Sequence, residues 1–156
     1  MRINRTIDDT YGDSITGLQV VYSGWNTGQL CPGCAVQPDA SATFEGSWHD
    51  TTSWNGDAPP SATMRFNGTA VWVYCILVNS GHRGVTIYTN ASFELDGALA
   101  GTYQHNPDPK EDQYLYNTAV FNKDDLSNTE HTLVITAENG PSPSLLLFDW
   151  AMYTYV

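Results

Sequence analysis

Ala62-Thr-Met-Arg-Phe-Asn-Gly-Thr-Ala-Val-Trp-Val-Tyr-Cys-Ile-Leu-Val78 decides how this chain is read. Two runs of strand-forming composition meet at Asn67-Gly68, a pair that tolerates positive φ and so predicts a tight turn between antiparallel strands. Residues 69–78 are almost wholly β-branched, aromatic or aliphatic, which suits a central strand covered on both faces. A buried helix competes for so apolar a run, but Val, Ile, Thr, Trp and Tyr dominate it while Leu, Glu and Lys are scarce.

Outward from this pair, strand-forming composition between turn signals predicts strands over residues 18–22, 42–44, 84–88, 91–95, 99–104, 114–121, 131–137 and 145–155, with a short one around Ile7. Asp96-Gly97 between alternating runs is a strong hairpin signal. The total is about nine or ten strands with no amphipathic helix, the pattern of an all-β antiparallel sandwich or jelly roll. The last strand is too apolar to lie at an edge in water and is placed centrally beside the first, with the termini close together.

At 156 residues the chain fits one domain over residues 1–156, large enough to bury a core without a metal or disulfide. Hydrophobic content of 41% and aromatic content of 12% exclude disorder. Six Lys plus Arg against seventeen Asp plus Glu give a formal charge of -11, which argues against nucleic acid or an anionic membrane as partner. No stretch has the roughly 20 apolar residues needed to span a bilayer. The sequons at Asn4, Asn67 and Asn90, with the pair Cys31-Pro-Gly-Cys34, point to a secreted or cell-surface glycoprotein, and Met1-Arg-Ile-Asn4 to a chain whose leader has been removed. Oligomeric state is not legible.

Several second-half motifs recur in a known superfamily. Phe66-Asn-Gly-Thr-Ala-Val-Trp-Val-Tyr74, Phe93-Glu-Leu-Asp-Gly97, Leu126-Ser-Asn-Thr-Glu-His-Thr-Leu-Val-Ile135 and Leu146-Leu-Phe-Asp-Trp-Ala-Met-Tyr153 together resemble the galactose-binding-like β-sandwich. With Ile7-Asp-Asp-Thr-Tyr-Gly-Asp13 and Gly46-Ser-Trp-His-Asp50, the chain is similar to extracellular domains of uncharacterised mushroom-forming fungal proteins, in which a membrane span often follows. The resemblance covers most of residues 61–156 and specifies fold better than function, because its motifs are mainly core and turn residues. It implies a structural calcium between first and last strands, held by Asp8, Asp9 and Asp149; a hard cation wants six to eight oxygens. Asp149 bonding to backbone groups would serve the strand equally well.

Residues 46–60 carry Trp48, His49, Asp50, Trp54 and Asn55 in a segment of little periodicity, read as a functional loop. Flat rings stack on sugar faces while Asp, Asn and His fix hydroxyls, so these residues form a candidate glycan site, joined from loops at the same end by Trp25, Tyr103 and His105. Trp48 has a second reading as a core plug, and Trp54, among Ser, Asn and Gly, is the exposed ring. Cys31 and Cys34 read as a structural disulfide, with a redox pair or zinc as lesser alternatives, and Cys75 as a buried free thiol. No nucleophile elbow, phosphate loop or His-Glu-x-x-His motif occurs, so no catalytic residue is assigned, although His49-Asp50 and His105 would supply acid and base if they converged. The resulting expectation is a non-catalytic, lectin-like module that takes glycan or cell-wall polysaccharide. The alternatives are a fungal receptor ectodomain and a glycan-active hydrolase or lyase.

Overall fold

The computed structural model describes all 156 residues as twelve strands with three short 3-10 turns and no α-helix. The strands are β1 (Ile3–Asp8), β2 (Gly12–Asp13), β3 (Val21–Ser23), β4 (Asn26–Thr27), β5 (His49–Ser53), β6 (Ser61–Gly68), β7 (Ala70–Val78), β8 (Thr89–Leu95), β9 (Ala98–His105), β10 (Tyr114–Lys123), β11 (Thr129–Ala137) and β12 (Ser144–Tyr155). One sheet runs β10-β7-β12-β1-β2, with β5 on β12 and β4 on β5; the other runs β3-β6-β11-β8-β9. All pairings are antiparallel. The expected all-β sandwich is the observed fold.

The main core lies between the sheets, where Val71, Val73 and Cys75 of β7, Phe148 and Ala151 of β12, Leu133 and Ile135 of β11 and Phe93 of β8 are fully buried. The final strand is central as expected, flanked by β7 along one edge and by β5 and then β1 along the other, so Ile3 lies opposite Tyr155. A smaller apolar cluster covers the outer side of the β7 and β12 ends, with Ile76, Val78, Leu145 and Leu147 packed against Trp48 and Val36.

Asp96-Gly97 forms the β8–β9 hairpin with φ of 53° and 83°, the positive pair the signal requires. Asn67-Gly68 does not form a hairpin, because β6 and β7 belong to opposite sheets and the chain crosses between them at Thr69. Gly68 answers to a close approach instead: a Cβ there would sit 2.3 Å from the Thr154 carbonyl oxygen. Thr69 N–H donates to the same carbonyl at 2.9 Å. Residues 42–44 are not a strand, since the chain forms 3-10 turns at Ala40–Ala42 and Phe44–Gly46, the first capped by the Asp39 carboxylate. Residues 84–88 are irregular, and the first-half strand is β3, displaced toward Val21–Ser23 from the expected 18–22.

Below the β8–β9 turn, buried His131 donates from Nδ1 to Asp96 Oδ2 at 2.6 Å and from Nε2 to the Ser127 carbonyl at 2.7 Å. Two acceptors on one ring require both nitrogens to carry protons, the imidazolium form. Burial pulls the imidazole down from 6.5, but the Asp96 bond and the Ser127 carbonyl outweigh it and the pKa is raised. The His131 bond in turn lowers Asp96 from 3.8. A raised His stabilises the fold fully below its unfolded pKa and loses that contribution as pH rises through the folded value, whereas a depressed Asp loses its share on acidification. Denaturant midpoints are expected to fall between pH 6 and pH 8.5 in the native protein and to fall less over that interval in His131→Gln, where only the raised buried carboxylates Asp8 and Asp149 still lose protons. Gly68→Ala is expected to cost about 1–3 kcal/mol by overpacking against backbone, with Gly33→Ala, where nothing lies within 4 Å of the added Cβ, near neutral in the same titration.

Candidate functional site

The segment expected to be a loop contains a strand, β5. His49–Ser53 pairs with β12 from Ser144 to Phe148 and with β4 at Asn26 and Thr27, which fixes alternate side chains on opposite faces. Before it, Trp48 is 2% exposed and fills the outer apolar cluster. Its ring lies so close to Gly28 that a Cβ there would stand 1.9 Å from Nε1. Trp48 is therefore a core plug and not a stacking platform: apolar burial outcompetes exposure for so large a ring.

Asp50, 5% exposed, accepts from Trp48 Nε1 on Oδ2 and from Asn26 Nδ2 on Oδ1, both at 3.1 Å. It forms the floor of a cleft of about 270 Å³ whose walls include Val36, Val85 and Leu145. Trp54, at the end of β5, is 53% exposed and stands at the rim. The Cys31–Cys34 disulfide forms as expected, with Cα atoms 5.4 Å apart, and Gln37 Nε2 donates to both cysteine carbonyls, so Cys34 to Val36 make a braced wall. Cys75 is the buried free thiol, and burial pushes it far up. Burial also raises Asp50, against the bonds from Asn26 and Trp48.

The other expected ligand residues are not in this cleft. His49 turns to the interior, its Nδ1 2.6 Å from Asp9 Oδ2 and its ring stacked on Tyr22 at 3.9 Å. Asn55 is exposed in the turn after Trp54 and does not line the cleft. Trp25 packs against Tyr22 and the main core, with Nε1 buried and unpartnered. Tyr103 packs against the main core from β9, and burial raises its hydroxyl. His105 Nε2 is 2.7 Å from Asn79 Oδ1, bracing a neighbouring loop. His49, Asp50 and His105 thus have separate partners and form no acid–base set. Asn26, Thr52 and Thr86, which line the cleft, escaped the sequence reading; only the proximity of Asn26 to the cysteine loop hinted at it. A broader cleft of about 740 Å³ at the opposite end, around Arg2, Trp72, Asp124 and Asp125, is polar and open, without the apolar walls of a small-ligand site.

Asp8, Asp9 and Asp149 are all buried where β1 and β12 meet. Asp9 Oδ1 accepts from Ser47 Oγ at 2.5 Å, and Oδ2 from Thr10 Oγ1 at 2.9 Å. Asp149 accepts from Phe44 N–H at 3.0 Å, the backbone bond foreseen as the alternative to a metal. Asp8 Oδ2 holds the N–H groups of Thr10 and Tyr11, while its Oδ1 is buried without a partner. Burial, with the Asp9 charge adding to it, raises Asp8 to about 6; burial with the Asp9 and Asp8 charges raises Asp149 to about 7. The sequon residues Asn4 and Asn67 are exposed on β1 and β6, and Asn90 is half-buried on β8.

No protein-family model matches the sequence and no curated protein does. Among solved structures, a family 35 carbohydrate binding module from Clostridium thermocellum superposes with a TM-score of 0.56 at 6% identity, covering 99% of this chain and 98% of that one. A Paenibacillus cycloisomaltooligosaccharide glucanotransferase complexed with cycloisomaltoheptaose gives 0.58 at 13% identity, over 96% of this chain but 18% of its own. A Podospora anserina GH26-CBM35 beta-(1,4)-mannanase gives 0.53 at 9%, over 99% of this chain and 28% of its own. At such identities the likeness is one of fold alone, an antiparallel β-sandwich that a carbohydrate binding module of the same extent shares.

Proposed function

We propose that this domain is a secreted or cell-surface module that binds carbohydrate without turning it over, through the cleft between Trp54 and Asp50. The observation that carries the reading is an indole left 53% exposed at the rim of a small apolar-walled cleft with a carboxylate and an amide on its floor. A ring of that size is normally buried, and its flat face matches the C–H face of a pyranose. The family 35 module, alike in fold and extent, supports a binding role. A single carboxylate in the cleft supports a non-catalytic one, because glycoside hydrolysis usually uses a pair. The disulfide and the sequons at Asn4, Asn67 and Asn90 support an extracellular setting. On a glycan array the native domain is expected to give discrete positives, with Trp54→Ala weakening them at least about tenfold, the scale of a central aromatic contact. Signals that survive Trp54→Ala would move the site elsewhere.

Calcium belongs to the same proposal. Asp8, Asp9 and Asp149 do not converge as a closed metal cage, and the Asp9 and Asp149 oxygens already have protein donors. The fit lies in the buried, unpartnered Asp8 Oδ1 and in an all-oxygen acidic set suited to a hard cation. Bound there, calcium would neutralise carboxylates that crowd the junction of β1 and β12. The melting temperature is expected to rise in millimolar calcium and fall in chelator, and Asp8→Asn to abolish the difference. Identical melting in both solutions would remove the metal from the account.

A further inference from the structure

Asp50 has its hydrogen bonds but no ion pair. Its two oxygens are served by neutral donors, the Trp48 indole and the Asn26 amide. The ion pairs in the molecule are His49–Asp9, Arg65–Glu130 and His131–Asp96, and none includes Asp50. His49, its chain neighbour, is committed to Asp9 from the opposite face of β5. No Lys or Arg lines the cleft, in which Asp50 is the one charged side chain. A carboxylate withdrawn from water to 5% exposure with no cation bonded to it, and only the His49 ring already engaged by Asp9 as a charge neighbour, is unfavourable. What the floor lacks is positive charge, not further hydrogen bonds.

We propose that the cleft is selective for a saccharide bearing a protonated amine, an amino sugar whose ammonium meets Asp50 while its ring stacks on Trp54. This rests on the carbohydrate reading above and narrows it to one chemical class. An ammonium is a compact charge that supplies the missing compensation and donates to the free lone pairs of both oxygens. The formal charge of -11 favours approach of a cationic glycan and disfavours uronates. A cleft of about 270 Å³, at the small end of ligand pockets, suits one ring or a chain end and not the side of a long polymer. Asp50 as a purely structural anchor for Trp48 and Asn26 is the competing account, and it predicts no preference for charge in the ligand.

Calorimetry with glucosamine trisaccharide and its fully N-acetylated counterpart tests this on the native protein, since acetylation removes the charge and leaves the ring. The amine form is expected to bind at least about tenfold more tightly, with affinity falling as salt rises from 0.05 to 0.5 M. Asp50→Asn, which keeps an acceptor for Trp48, is expected to erase the preference; should that variant misfold, the acetylation and salt series decide alone. Equal affinity for the two forms, or tighter binding of the acetylated one, overturns the amino-sugar assignment and leaves the carbohydrate site standing. Amine binding that persists in Trp54→Ala is diffuse attraction to an acidic protein and also overturns it. Failure of every glycan to bind overturns the carbohydrate reading itself.

Discussion

The structure depends on β12 being hydrogen-bonded along both edges. Its partner on one side is β7, from Leu147 to Thr154; on the other, β5 pairs from Ser144 to Phe148 and β1 from Trp150 to Tyr155. Asp149 lies at this change of partner, where the register against β7 also slips. A carboxylate in the middle of an apolar central strand is costly unless something binds it, and here the Phe44 amide does, while the Asp149 carbonyl takes the Asp9 N–H. The handover thus ties the start of the chain, its end and the 3-10 segment at Phe44 to one point.

The cleft is a consequence of that arrangement. Because β1 gives way to β5, the chain must run from β4 through the cysteine loop and back to β5 on the outer side of the sheet. Trp48 secures this excursion by packing on Gly28 and on Ile76, Val78 and Leu147, and its indole N–H then positions Asp50 two residues on. Strand alternation carries the chain to Trp54, which emerges where β5 ends. A buried Trp and an exposed Trp six positions apart therefore have different surroundings, one holding the wall and the other standing at the rim of the cleft.

Sequence exposed those features that depend on local pattern. Asp96-Gly97 was legible because a two-residue hairpin needs positive φ at both positions, and no tertiary contact alters that need. Asn67-Gly68 carried the same local signal for a different cause, the approach of Thr154 from the other sheet, which no window of sequence displays. The apolar run of residues 84–88 was misassigned because Val85 and Ile87 pack against the outer cluster without pairing. His49–Ser53 was missed because its polar residues face a hydrogen-bonded interior, leaving no apolar alternation to read. Trp54 could be identified from its Ser, Asn and Gly neighbours; the placement of Asp50 and Asn26 on one floor required the β4–β5 pairing.

Charge compensation divides the acids into those bonded to a histidine or fully served by donors and those that are not. Asp96 is matched by His131, whose two acceptors hold it as the imidazolium, and Asp9 is bonded to the His49 ring and to two hydroxyls. Asp13 is held by the Tyr153 hydroxyl and by two backbone N–H groups in its own turn. Asp8 retains an oxygen with no partner, and Asp50 is bonded only to neutral donors, with no ion pair. With only six Lys plus Arg against seventeen acids, the chain had few cations of its own to place beside them. Burying a carboxylate without a counter-ion in so acidic a protein lowers stability, and the cost is recovered only when positive charge arrives from outside. The two acids left in this state lie at the strand junction and on the cleft floor, the two places for which a cation is proposed above.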